Sequence, residues 1–272
     1  MDKQLVVKSN FLIEASYRLS AVEQKIILTL ASEIKHTDKE FQKYFFNLGD
    51  LGAFLGLKTN ADYSYLREVT KNLLAKVLII QKEDSILQTH WIESVEYFEK
   101  QGTIALNFNP DLKPFLIQLK NNFTKYQLKF AVQLKSRFSI RVYELLKQYE
   151  KIGHRDFSLV ELRTILGVEK DEYPLYGNFK AKVLLVAQNE LNAKTDIAFE
   201  FEEIKVGRGV GKIRFYIKSK TVEEAELANA EVVKEFTVSR EEQELDSLLT
   251  RLPSDYRGRE SIRALLKQWL EK

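Results

Sequence analysis

The sequence predicts an α+β fold: two tandem winged-helix domains forming a pseudo-two-fold internal repeat, followed by a helical C-terminal tail. Three observations predict it. Residues 46–57 (FNLGDLGAFLGL) recur 111 positions later as residues 157–168 (FSLVELRTILGV), matching Phe46 to Phe157, Leu48 to Leu159, Leu51 to Leu162, Leu55 to Leu166 and Gly56 to Gly167. A repeat of so long a period marks two copies of a small domain rather than a solenoid. Each copy runs through helical patterns into alternating strands, the order helix, helix, helix, hairpin. Charge then separates the tail: residues 221–272 carry 8 Lys/Arg and 12 Asp/Glu, a net −4, whereas residues 1–220 carry 34 against 27, a net +7.

Residues 9–35 read as an opening helical stretch. Ser20 and Glu23 have capping-box spacing, Val22, Ile26, Ile27 and Leu30 follow at helical intervals, and 10–18 reads as a shorter helix before them. The aromatic run 41–46 predicts a strand, and 50–57 a short helix stopped at Gly56, a residue free to adopt positive φ. Thr59 or Asn60 caps a longer helix over 61–76 with Leu66, Val69, Leu73 and Val77 on its buried face. Runs of β-branched and aromatic residues at 77–80, 90–98 and 103–108 predict a small antiparallel sheet.

The second copy repeats that order. A connecting helix is expected over 128–149, a short helix over 159–166 ended by Gly167, and a long helix over 177–191 burying Phe179, Val183, Val186 and Leu191. Strands at 197–206 and 212–218 flank the glycine-rich turn 207–211. The expected domains are therefore 1–125, 126–220 and the tail 221–272. In the tail, Leu245, Leu248, Leu249 and Leu252 precede Pro253, and Ile262, Leu265, Leu266 and Leu270 follow it. That spacing suits two amphipathic helices that either dock a partner or pack on one another.

Composition narrows the function classes. The chain has no cysteine, which excludes disulfides, thiolate metal sites and cysteine nucleophiles and fits a cytoplasmic setting. No stretch has the signal-peptide layout or the ~18 apolar residues of a membrane span. His36, His90 and His154 lack partners at metal-ligand spacing. The turn 207–212 (GRGVGK) departs from a phosphate loop because Ile213 stands where Ser or Thr is needed and a strand, not a helix, comes next. No catalytic constellation is present, so the expectation is a non-enzyme without cofactor.

A basic body with paired helix-hairpin units points to DNA. An α-helix with its side chains fits the ~12 Å major groove, and the early turns of a recognition helix reach base edges. In the second copy these positions hold Asn178, Lys180 and Lys182, with Gln188 and Asn189 further along; in the first they hold Asn60, Ser64, Arg67 and Lys71 beside Tyr63. Lys205, Arg208, Lys212 and Arg214 surround the glycine-rich turn as a basic wing for phosphates. The alternative for the helix positions is a solvated face, which has much the same composition; for the wing the alternative is an ordinary glycine hairpin turn with incidental charge, and the basic wing is the preferred reading.

Residues 10–20 (NFLIEASYRLS), leading into Glu23, Gln24 and Lys25, resemble the opening of plasmid replication initiators of the Rep_3 type. Residues 134–146 (LKSRFSIRVYELL) resemble that family's central signature still more closely, and the similarity spans about residues 5–218. The resemblance implies tandem winged helices on directly repeated origin sequences, iterons, with the second domain making much of the contact. It further implies monomer–dimer exchange through the first domain, autorepression by dimers, and host initiator or helicase partners. Lys135, Ser136, Arg137 and Arg141 become candidate DNA-backbone contacts, although Ser136 would equally cap a helix and Arg141 pair with a carboxylate. The competing readings are a dimeric winged-helix transcription regulator, which predicts an inverted-repeat site, and a rolling-circle nicking enzyme, for which the histidine cluster is missing.

Overall fold

The computed structural model describes residues 4–56, 63–82, 84–228 and 230. Asn60 and the tail leucine pattern of 245–270 lie outside these residues. Residues 1–220 form one compact unit and residues 221–272 another; in the second, 222–228 are helical.

The first unit opens with strand β1 (Leu5–Ser9) and helix α1 (Asn10–Glu14), whose first turn is capped by Ser9. The shorter helix expected over 10–18 ends at Glu14, and the short strand β2 (Ser16–Tyr17) follows it before α2 (Ala21–Ser32). The Ser20–Glu23 capping box forms in both directions, so α2 starts where the sequence places it. Ile26, Ile27, Leu28, Leu30 and Ala31 are all buried, making α2 the central helix of this half.

Strand β3 (Tyr44–Asn47) runs directly into helix α3 (Leu48–Phe54), with the Asn47 side chain accepting from Gly49 N and Asp50 N. Gly56 follows at φ +78°. Helix α4 (Tyr63–Leu74) buries Leu66, Val69 and Leu73 as expected. Val77 does not join them. It is 56% exposed because the helix has ended and the residue begins strand β4 (Val77–Gln81) on its solvent-facing phase.

The strand region of this half forms two sheets rather than one. β4 pairs with β2 and with β5 (Ile86–His90), a strand absent from the sequence reading, in the order β2-β4-β5. Strands β6 (Ile92–Phe98) and β7 (Thr103–Phe108) form a hairpin that adds to β3 in the order β3-β7-β6. Trp91, fully buried between β5 and β6, packs edge-on to Tyr17 at 4.9 Å and separates the two sheets. After the short helix α5 (Lys113–Leu116), strand β8 (Phe123–Gln127) returns to pair with β1.

The expected helix over 128–149 is two helices, α6 (Leu128–Val132) and α7 (Arg137–Lys147). The break has an identifiable cause. The amides of Lys135 and Ser136 donate to the Glu190 carboxylate instead of to preceding carbonyls, and Ser136 then caps α7 by accepting from Phe138 N.

The second copy is built from β9 (His154–Ser158), α8 (Leu159–Ile165), and a long rod made of α9 (Tyr176–Phe179), a π-helical segment (Lys180–Leu184) and α10 (Leu185–Lys194). Strands β10 (Ile197–Val206) and β11 (Gly209–Ser219) complete the sheet in the order β9-β11-β10. That order matches β3-β7-β6, with the hairpin's second strand central in both copies. Both copies also share a strand, a polar cap, a seven-residue helix and a positive-φ glycine. The unit therefore consists of two winged helices, the first enlarged by the β4–β5 hairpin between its long helix and its wing.

Candidate nucleic-acid interface

The long rod of the second winged helix presents two faces. Phe179, Val183, Leu184, Ala187 and Leu191 are buried against the sheet and α7. Val186, expected among them, is only half-buried. The π-helical winding of Lys180–Leu184 takes up more residues per turn and rotates α10 beyond it, so Ala187 occupies the inward slot.

Asn178, Lys182 and Asn189 lie on the exposed face. Lys180 is held back, ion-paired with Glu203 of β10 and 5.9 Å from the Phe201 ring centre. Gln188 does not face outward as a reader. Its Nε2 donates to the Phe199 carbonyl at 3.0 Å, beside Asn192, which bonds both the amide and the carbonyl of Phe199. These side chains fasten α10 to β10. Replacing Gln188 with alanine should cost about 1 kcal/mol in thermal or urea unfolding and leave DNA sequence preference unchanged.

The wing follows the sequence closely. Strands β10 and β11 turn at Gly207 and Arg208, with Gly207 at φ +67° and a bulge between Ile204 and Lys205. Lys205, Arg208 and Lys212 are exposed and form no ion pair among the described residues. Arg214 differs: it sits opposite Asp156 of β9 and makes two hydrogen bonds of 2.7 Å to its carboxylate. The Arg214 fork holds the Asp156 carboxyl below the usual carboxylate range, so this arginine already has an anion.

Of the four signature residues, Lys135 alone is exposed. Ser136 caps α7. Arg137, 18% exposed, donates to both oxygens of Glu172 at 2.7 and 2.8 Å. Arg141 is 2% exposed and cannot touch DNA in this conformation. Its guanidinium donates to the carbonyls of Ala15 and Ile165 and to the Tyr17 hydroxyl, pairing buried donors with the acceptors of three buried residues.

In the first copy, Arg67 is paired with Glu99 at 2.5 Å and lies 5.2 Å from the Tyr97 ring centre, while Ser64 and Lys71 are exposed on α4. Among the described candidate residues, this copy therefore has one cation without an ion pair, Lys71, against Lys182, Lys205, Arg208 and Lys212 in the second.

A buried ionic centre beneath α7 gives Arg141 the carboxylate that the alternative reading of the signature offered it, and adds a lysine that the sequence analysis did not single out. Lys8 and Glu144, each 1% exposed, pair at 2.7 Å; Tyr126 donates to Glu144 at 2.6 Å, and Arg141 lies 3.4 Å from its other oxygen. A signal existed: Lys8 shares with Val6 the inward phase of β1, where alternation calls for an apolar residue. The same region joins the two copies. Ser16 donates to the Thr164 carbonyl, Arg155 pairs with Glu14, and Gly167 lies against the backbone of Tyr17.

Among the described residues no group of three or more His, Asp or Glu is placed to hold a metal, and no helix is long and apolar enough to cross a membrane. Residues 5–147 match the family model "Initiator Replication protein, WH1", and residues 158–217 match "Initiator Rep protein, WH2". The PI protein of Escherichia coli is 27% identical over 201 residues, covering 61% of this chain and 66% of that protein, so the chain spans about two thirds of its length. A replication initiation protein of Escherichia coli is 24% identical over 257 residues, 80% of either chain. The crystal structure of the Pi initiator protein in complex with iteron DNA shares the fold, with a TM-score of 0.66 at 21% identity over 81% of this chain and 100% of that one.

Proposed function

The chain belongs to the initiator replication protein family, with the WH1 and WH2 modules in that order, and on this premise we propose that it is a sequence-specific, non-enzymatic initiator of plasmid replication that binds directly repeated origin DNA. One observation carries the reading: the outward face of the WH2 rod, with Asn178, Lys182 and Asn189, adjoins a wing whose Lys205, Arg208 and Lys212 form no ion pair among the described residues. A polar helix supplies base contacts and an unpaired cationic hairpin supplies phosphate contacts. The solved relative with the same fold was crystallised with iteron DNA, which supports the choice of target.

Lys180 and Arg214 join the interface by exchanging Glu203 and Asp156 for phosphate. WH1 contributes Ser64, Lys71 and, after release from Glu99, Arg67, and it serves self-association into a dimer that represses the chain's own gene. Asn60 and Lys135 complete the proposed contacts. The domain division 1–125 and 126–220, cytoplasmic action, and tail-mediated docking of a host initiator or helicase belong to the same proposal.

The test is titration of the full chain against duplexes carrying the direct repeats beside its gene and against scrambled controls, over a range of salt. Preference for the repeats is expected; equal affinity with only a steep salt slope would overturn the reading. Footprints on inverted rather than direct repeats would favour the dimeric regulator. Arg208→Ala and Lys212→Ala should each weaken binding to every sequence alike and flatten the log–log salt slope by about 1.

A further inference from the structure

The exposed face of the WH2 rod is not uniformly polar. Ala181 is exposed one turn before Leu185, itself 37% exposed, and both stand among Asn178, Lys182 and Asn189. A single exposed leucine is ordinary on a protein surface. The setting of Leu185 is not, because the buried face of the same rod already takes Val183, Leu184, Ala187 and Leu191 into the core. The π-helical turn produces this arrangement: by rotating α10 it brings Leu185 outward.

Nearby acidic side chains are drawn away from this face. Glu190 is occupied by the amides of Lys135 and Ser136, and Glu203 by Lys180. The result is an apolar pair framed by amide and ammonium groups, next to a cationic wing. In the major groove the only apolar group on a base-pair edge is the thymine C5-methyl, and short aliphatic side chains are its usual contacts.

Resting on the DNA-binding reading above, we infer that Leu185 and Ala181 are specificity-determining residues that read thymine methyl groups. The occupant is duplex DNA, chosen by charge: Lys182 is exposed on the same rod as the apolar pair, and Lys205, Arg208 and Lys212 are exposed on the hairpin whose strand β10 is tied to that rod through Lys180 and Glu203. The polar side chains fix purine and phosphate positions, while the apolar pair favours A·T over G·C at the steps between them. From Asn178 to Asn189 the rod is long enough, at about 1.5 Å per residue, to cover roughly five base pairs.

The experiment uses full-length protein and two pools of random duplexes, identical except that one contains thymidine and the other deoxyuridine. The exchange keeps base pairing and removes only the methyl group. Wild type should enrich a motif with at least one fixed A·T pair from the thymidine pool, and the matching uracil duplex should bind about fourfold more weakly per methyl removed. Leu185→Ala should return the same polar positions from both pools with a reduced methyl sensitivity, and Leu185→Ala/Ala181→Ser should lose it, both variants remaining cooperatively folded in a thermal melt because Leu185 is the partly exposed member of the rod.

A motif recovered equally from both pools by wild type would overturn the inference while leaving the initiator reading intact. So would methyl sensitivity that persists in a Leu185→Ala/Ala181→Ser double variant. Recovery of no motif from either pool would overturn the initiator reading itself, and this inference with it.

Discussion

Exchange of Glu144 for glutamine is expected to lower the unfolding free energy by about 3–5 kcal/mol, measured by urea denaturation at neutral pH. Lys8 and Arg141 both face this carboxylate inside the protein, and Tyr126 donates to it, so loss of one negative charge leaves two buried cations without compensation. An exposed pair provides the contrast. Lys43 and Glu96 are 3.0 Å apart with about half of each side chain in solvent, so Glu96→Gln should cost under about 1 kcal/mol.

The pH dependence carries a definite sign. Burial opposes ionisation of Glu144, but Lys8, Arg141 and the hydrogen bonds outweigh it and hold the carboxyl below its ordinary value. A depressed folded value means that the stabilisation is complete above the unfolded carboxylate pKa and disappears as pH falls through the folded one. The gap between wild type and Glu144→Gln should therefore be full at neutral pH and narrow in acid. A gap that widened on acidification would contradict the assignment.

Gly167→Ala is expected to be the second most damaging change, costing about 2–5 kcal/mol, against about 1–2 kcal/mol for Gly56→Ala. The two glycines occupy equivalent places in the repeat and both have positive φ, +62° and +78°. Their surroundings differ. A Cβ on Gly167 would collide with the carbonyl of Tyr17, a backbone atom fixed by the β2–β4 pairing, whereas a Cβ on Gly56 would meet nothing within 4 Å among the described residues. Thermal unfolding of the two variants separates backbone strain, shared by both, from the contact between the copies, present in one. Equal losses would show that the contact contributes nothing.

The elements that depend on local chemistry were legible in the sequence. The Ser20–Glu23 box, the capped short helices, the positive-φ glycines and the glycine-rich wing are each encoded within a few residues of where they act. The elements that depend on distant partners were not. The break at 133–136 is made by Glu190, the interior setting of Arg141 by Ala15 and Tyr17, and the role of Gln188 by Phe199 on the following strand. The π-helical turn escaped for another reason: a 3.6-residue template places Val186 inward, and only the actual winding moves it out.

The pairing of Lys8 with Glu144 also bears on how the chain is made. During synthesis Lys8 leaves the ribosome 136 residues ahead of its counter-charge. At ~5–20 residues per second the lag is on the order of ten seconds. For most of that interval β1 lacks β8 as well, since its partners Phe123–Gln127 emerge only shortly before Glu144. With neither the counter-charge of Lys8 nor, for most of the interval, the pairing strand of β1 yet made, the buried position of that strand is expected to form only after α7 is complete. A nascent chain halted at residue 125 would hold nearly all the apolar groups of the proposed first domain and lack the carboxylate that Lys8 pairs with once its strand is buried.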